Sequence, residues 1–269
     1  MQARVATLLA LIVCVGAGAG SSHMHSGGVE AQVLAGQKAA VARVSISFAS
    51  AAPVGTGLQQ HNMLLECHRS WAPASFDRFL HLVHVGFLDS QFFVRAIPGY
   101  VLDWNYGPTS STTAHVYDAL TWFKPSESDK DLGGKQMSNT VGMVAFGQEA
   151  DGATKSEVFV NLADNGSRLD ALSGGGGFWP FATVVEFDGK RVQGGQADDC
   201  HTLGELVEAA VNFQHGDVFF AGGASLDEAN KRQQAVIAGG NEHIARTYSD
   251  LTQITSATIV RSAEGNGEG

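Results

Sequence analysis

Over residues 42–48 apolar and polar positions alternate strictly: Ala42, Val44, Ile46 and Phe48 fall on one side, Arg43, Ser45 and Ser47 on the other. That period of two predicts a half-buried strand. A loop over 51–57 leads to a second strand candidate at 62–68. The period then changes. Phe76, Phe79, Leu80 and Val83 recur at spacings of three and four, which predicts a helix opened by Trp71-Ala72-Pro73 and ended at Gly86. Residues 91–104 read as two short strands split by the turn dipeptide Pro98-Gly99. Residues 139–146, 157–162, 178–186 and 254–260 read as further strands, with loops at 147–156 and 173–177. Residues 203–213 have helical spacing, 225–239 fit either a helix or a loop, and 109–134 read as mostly irregular. Short strands joined by glycine-containing turns, with two clear helix signals, favour a closed antiparallel barrel capped by helices.

Composition supports one sizeable core and excludes some partners. Of 269 residues, 44% are hydrophobic, and no compositional break divides residues 42–260, so a single domain is expected there. Lys and Arg total 17 against 27 Asp and Glu, a formal charge of -10. That surface repels phosphate backbones, so nucleic acid is not an expected partner. The first residues carry Arg4, an apolar run over 5–15 and then Gly16-Ala17-Gly18-Ala19-Gly20, a pattern that suits a signal peptide over 1–20. An uncleaved signal anchor, tethering the protein to a membrane, is the alternative. Residues 21–41 read as a flexible spacer and 261–269 as a disordered tail. The expected location is the secretory-pathway lumen or outside the cell, or an endomembrane if the anchor is kept.

Three cysteines occur, Cys14, Cys67 and Cys200. Outside the leader, Cys67 and Cys200 either pair in an oxidising compartment or remain two thiols; no C-x-x-C spacing decides it. His81 and His84 share a helix face without the carboxylate pattern of a zinc site, and the run Gly174-Gly175-Gly176-Gly177 lacks the Lys-Ser/Thr of a phosphate loop. No metal or other cofactor is implied. Asn165-Gly166-Ser167 is a glycosylation acceptor pattern.

Three ordered blocks carry a family resemblance. The first is Phe92-Phe93-Val94-Arg95-Ala96-Ile97-Pro98-Gly99-Tyr100, continuing to Trp104. The second is Ser138-Asn139-Thr140-Val141-Gly142, leading into 143–146. The third is Ser156-Glu157-Val158-Phe159-Val160-Asn161-Leu162, followed by Asp164-Asn165, Leu169-Asp170 and Gly177-Phe178-Trp179-Pro180-Phe181. With Trp71-Ala72-Pro73 upstream and Gly240-Asn241 and Ala257-Thr258-Ile259 at the end, residues 42–260 resemble a cyclophilin, the peptidyl-prolyl isomerase barrel. The resemblance implies a mainly β fold: a closed eight-stranded antiparallel barrel capped by two helices, with a surface groove for an Xaa-Pro segment.

The implied chemistry is rotation about the prolyl imide bond. Resonance opposes it with a barrier of about 18–20 kcal/mol. An enzyme needs an apolar slot for the proline ring and a donor aimed at the imide as resonance is lost. Arg95 falls at the family's catalytic arginine, and its fixed fork of donors suits that role. Tyr100, Val101, Phe159 and Leu169 fall at positions lining the proline pocket, and Gly147-Gln148-Glu149 where the family's backbone bonds the bound peptide. This chain departs from the family pattern at four groove positions. Asp103 and Glu157 stand where glutamine is usual, Arg168 where tryptophan is frequent, and Phe178 where histidine is. A carboxylate accepts hydrogen bonds but cannot donate. Asp103 or Glu157 could therefore draw Arg95 away from substrate, or hold it in place and select peptides with a basic residue. The resemblance implies an isomerase acting on Xaa-Pro bonds in proline-containing segments of client proteins; with the leader pattern, the expected role is assisting the folding of secretory-pathway proteins, as a monomer. The alternative is a cyclophilin-like module that binds such segments with little turnover.

Overall fold

The computed structural model describes residues 40–51, 58–104, 117–148, 151–171, 176–192, 197–210, 223–248 and 251–260. In chain order these form β1 (Val41–Ala51), β2 (Leu58–His68), α1 (Pro73–His84), β3 (Phe93–Ala96), β4 (Val101–Trp104), α2 (Pro125–Asp131), β5 (Met143–Phe146), β6 (Val158–Asn161), α3 (Gly166–Leu169), β7 (Pro180–Phe187), β8 (Lys190–Arg191), α4 (Ala197–Ala210), α5 (Leu226–Thr247) and β9 (Gln253–Val260).

The strands are antiparallel and follow the order β3-β4-β6-β5-β7-β2-β1-β9, with β8 hairpinned onto β7. The two ends of that order meet. Phe92 bridges Gln253, Phe93 N–H donates to Thr252 O (3.1 Å), and Ile254 N–H donates to Gln91 O (2.7 Å). This gives the closed antiparallel barrel that the pattern favoured, with the eight strands that the resemblance implied, and closure removes the exposed edges an open sheet would present. Alternation does what β1 promised. Val44, Ile46 and Phe48 point inward and are fully buried; Ala42, Val44 and Ile46 lie opposite Cys67, Leu65 and Met63 of β2, and Phe48 opposite His61. Phe93, Leu102, Trp104, Val144, Phe146, Val158, Val160 and Phe181 complete the interior.

The helices α1 and α4 close opposite ends. α1 follows the last residue of β2 by a short turn and places Phe79 on Phe181, with ring centroids 4.9 Å apart. At the far end, where β9 begins beside Ala49, Ala209 O of α4 accepts from Thr252 Oγ1. Leu203, Leu206 and Val207 of α4 enter the core. The expected stop for α1 is present: Gly86 adopts φ +67°, a left-handed conformation that glycine takes without a Cβ penalty. At its start, Ala72 supplies no side-chain cap. Asp129 of α2 does so instead. Its Oδ1 accepts from Ala74 N (2.6 Å) and Ser75 N (3.0 Å), and its Oδ2 from Ser75 Oγ (2.5 Å).

Some expectations are corrected. Residues 125–131, within the stretch read as irregular, form a helix, because Pro125, Ser126 and Asp129 are buried where Asp129 reaches α1. Residues 139–142 lie outside the strand, which starts at Met143: Gly142 adopts φ +81°, its N–H donating to Asn161 O and its O accepting from Val184 N–H. β2 begins earlier than expected, at Leu58. The ambiguous segment beginning at Ser225 is a helix, opened by a capping box between Ser225 and Glu228 and kinked at Gly240. Cys67 is a free thiol inside the barrel, and burial pushes its pKa up. The side chain of Cys200, residues 1–39 and residues 261–269 lie outside the described residues. No helix of the described residues is long and apolar enough to cross a membrane.

Candidate active site

Strand parity builds the site on the outer face of the barrel. In β4, Leu102 and Trp104 enter the core, so Val101 and Asp103 face outward; in β6, Val158 and Val160 enter, so Phe159 faces outward; in β5, Val144 and Phe146 enter, so Ala145 faces outward. The register aligns these residues. Arg95 of β3 lies opposite Asp103, Asp103 opposite Phe159, and Phe159 opposite Ala145, one row across four strands.

Arg95 reaches that row through an irregularity in β3. Phe93 and Ala96 both face the core, an odd spacing that strict alternation forbids. The register with β4 shifts between Phe93 and Arg95, so Val94 is the extra residue. Val94 packs outward into a separate cluster with Phe92, Val236, Ile244 and Leu251, and Arg95 turns toward the row. Bulges re-aim side chains in this way.

Arg95 Nη1 donates to Asp103 Oδ2 at 2.7 Å; the Asp103 side chain is 2% exposed and that of Arg95 23%. A charge-assisted bond to a buried carboxylate holds the guanidinium firmly. Beside it, Val101, Ala145, Phe159 and Leu169 form an apolar cluster distinct from the core, with Tyr100 and Phe178 packed on it. Phe178 meets Phe159 edge to face, centroids 5.3 Å apart, and the Arg168 guanidinium lies 5.8 Å from the centre of the Tyr100 ring. The loop after β5 is drawn in by Gly147 N–H, which donates to Glu157 O at 2.9 Å. A Cβ on Gly147 would lie 2.5 Å from Glu157 Cδ, so the Glu157 side chain lies directly over the loop backbone here. Gln148 follows, its Nε2 buried and without a hydrogen-bond partner among the described residues.

The structure thus brings together Arg95, Tyr100, Val101, Asp103, Phe159, Leu169 and Phe178, with Arg168 at the rim and Gly147 and Glu157 in contact beside them. Glu149 lies outside the described residues. The arrangement can hold a small apolar ring against the Phe159 face while presenting a cation alongside it. Ala145 belongs to the site and was missed, although its parity with Gly147 pointed there. Asn139, Asn161 and Asn165 are buried behind the pocket, a placement the sequence pattern did not show. Asn165 Nδ2 donates to Tyr100 O (2.8 Å) and Asn161 Oδ1 (2.9 Å), so the acceptor nitrogen of the Asn165-Gly166-Ser167 pattern is consumed inside the fold. Mass spectrometry of protein secreted from a glycosylating host is expected to find Asn165 unmodified; a glycan there on folded protein would contradict this placement.

The family model for cyclophilin type peptidyl-prolyl cis-trans isomerase/CLD matches residues 55–192, just over half of the chain. The chain belongs to this family. Among solved structures, it is similar to a cyclophilin type peptidyl-prolyl cis-trans isomerase of Cryptosporidium parvum, at 13% identity over 82% of this chain and 99% of that one, with a TM-score of 0.42. It is also similar to the Mimivirus cyclophilin, at 12% identity over 63% of this chain and 80% of that one, with a TM-score of 0.40.

Proposed function

We propose that this protein is an active prolyl cis-trans isomerase that assists folding of secretory-pathway proteins, with Arg95 as its catalytic residue. The observation that carries the reading is the outer-face row Arg95–Asp103–Phe159–Ala145 beside an apolar cluster separate from the core. The proline ring rests against Phe159 and Leu169, walled by Tyr100, Val101 and Phe178. As the imide twists, the lone pair returns to the prolyl nitrogen, and the Arg95 guanidinium donates to it. That bond strengthens only when resonance is lost, so it lowers the barrier rather than the ground state. Asp103 supports the geometry from the neighbouring strand, orienting the fork from below while Arg95 keeps an exposed side. The apolar run over 5–15 with the small residues after it supports entry into the secretory pathway.

A second reading is a peptide-binding module with little turnover. It is favoured by the Arg95–Asp103 ion pair itself, since a guanidinium committed to a buried carboxylate is a poorer donor to substrate. A double variant, Asp103→Gln with Glu157→Gln, separates the two. On the isomerase reading the parent is active, and the variant changes kcat/KM by less than about 10-fold, as expected when one orienting acceptor replaces another. A silent parent and an active variant would establish the binding module. The secretory assignment is tested by N-terminal sequencing of protein from the culture medium, which is expected to begin near residue 21.

A further inference from the structure

We propose that Asn139, Asn161 and Asn165 are positioning residues for the proline pocket: a one-way relay of side-chain amides that fixes Tyr100, Leu169 and Phe178 against β4 and β6. The inference rests on the reading of the outer-face groove as the Xaa-Pro site.

The three walls come from separate stretches of chain. Tyr100 ends the turn before β4, Leu169 closes α3, and Phe178 precedes β7. Behind them the three asparagines are buried, at 0%, 0% and 1% exposure. Each amide nitrogen has two hydrogens and donates twice, once to each of two acceptors. Asn165 Nδ2 donates to Tyr100 O and Asn161 Oδ1. Asn161 Nδ2 donates to Asn139 Oδ1 (3.2 Å) and Met143 O (3.0 Å). Asn139 Nδ2 donates to Asp170 Oδ1 (2.8 Å) and Phe178 O (2.9 Å). Every outer end of the relay is an atom that only accepts: three backbone carbonyls and one carboxylate oxygen. Reversing any one amide would set oxygen against oxygen, so the direction is dictated from the ends. Networks of this kind are cooperative, and a partly satisfied one is costly.

Backbone bonds extend the relay to the pocket. Leu169 N–H donates to Asn165 O and Phe178 N–H to Leu169 O; Asn165 N–H donates to Asn139 O, and Leu162 N–H to Tyr100 O. Asp170, which also accepts from Ser138 Oγ and Asn139 N, holds the accepting end of the relay. Two glycines permit the approach. A Cβ on Gly166 would lie 2.5 Å from Ser138 Oγ, and one on Gly177 would run into the Asp170 backbone. None of the three asparagines is one of the groove-facing residues, so they act on substrate through the walls and leave Arg95 untouched.

The test compares Asn165→Ala with the parent and with Ser75→Ala. Ser75→Ala also removes a buried hydrogen bond, at the start of α1. Catalysed exchange of a short Xaa-Pro peptide is followed as peptide concentration is varied. Asn165→Ala is expected to raise KM about 10-fold with kcat within about 2-fold, the signature of displaced walls around an intact donor. Ser75→Ala is expected to leave both unchanged. An unchanged KM in Asn165→Ala, or an equal rise in Ser75→Ala, overturns the proposal. Should the parent bind peptide without turning it over, the isomerase reading fails on its own. Peptide Kd, read from amide shifts, then replaces KM: a 10-fold weakening supports the relay and equal affinity overturns it. If Asn165→Ala does not fold, hydrogen exchange on the parent decides. The Leu162, Leu169 and Phe178 amides are expected to exchange as one unit and to slow together with bound peptide; unrelated rates overturn the relay.

Discussion

Arg95→Lys is expected to lower kcat/KM for prolyl exchange by about 100-fold or more, the scale on which loss of one aimed donor acts, while leaving the thermal midpoint close to that of the parent. The reason lies in Asp103. Lysine preserves a cation for the 2%-exposed carboxylate but gives up the planar fork, which alone can bond Asp103 and face substrate at once. Alanine is a poorer probe. It strands a buried carboxylate, and breaking a buried pair in this way costs roughly 3–5 kcal/mol. A lost rate in Arg95→Ala would therefore mix lost chemistry with lost structure. A peptide exchange rate and a melting curve on Arg95→Lys separate them. Near-parental activity in that variant would remove Arg95 from its catalytic role.

Asp129→Ala is expected to destabilise the protein by about 2–4 kcal/mol, because it orphans the Ala74 and Ser75 N–H groups and the Ser75 hydroxyl at the mouth of α1. Asp129→Asn behaves differently. Its oxygen can accept from both backbone N–H groups, and its NH2 can donate to Ser75 Oγ. Charge makes the distinction pH-dependent. Burial, the largest influence, outweighs the three donated hydrogen bonds and raises the Asp129 pKa from 3.8 to about 6. A carboxyl whose folded pKa lies above its unfolded one binds a proton more readily when folded, so its contribution to stability falls as pH rises from about 4 through 6. The loss is on the order of 3 kcal/mol and is complete above that window. Denaturant titrations at pH 4.5 and 7.5 should show about 2 kcal/mol of this loss in the parent and none in Asp129→Asn, which is expected to equal or exceed the parent at pH 7.5. A parent with a flat profile between the two would contradict the account.

Much of the fold could be read from pattern alone, for reasons visible in single residues. β1 declares itself because Arg43, Ser45 and Ser47 face away from the core while Val44, Ile46 and Phe48 enter it. α1 declares itself because Phe76, Phe79, Leu80 and Val83 make one apolar stripe. α2 does not, because its buried residues are Pro125, Ser126 and Asp129; its place is set by the hydrogen bonds Asp129 makes to another helix. α5 is ambiguous because its described buried apolar residues are as sparse as Ala229, Val236 and Ile244. At the site, Arg95 and the pocket residues were legible through the family motif. The bulge at Val94 that aims Arg95 was not, since it shows only as two inward residues an odd distance apart. The asparagines were least legible. A polar residue in a strand reads as solvent-facing, and the carbonyls that demand Asn161 and Asn165 belong to Met143 and Tyr100, far away in sequence.

The most direct test of the central claim is NMR exchange between the cis and trans forms of a short Xaa-Pro peptide, with catalytic amounts of the protein and, separately, of Arg95→Lys. Uncatalysed exchange takes tens of seconds or longer, so acceleration is easily seen. The account predicts that the parent speeds exchange, that Arg95→Lys largely loses this effect, and that both show peptide-induced shifts at Val101, Ala145 and Phe159. Peptide shifts without acceleration by the parent, or acceleration that Arg95→Lys keeps, would contradict it.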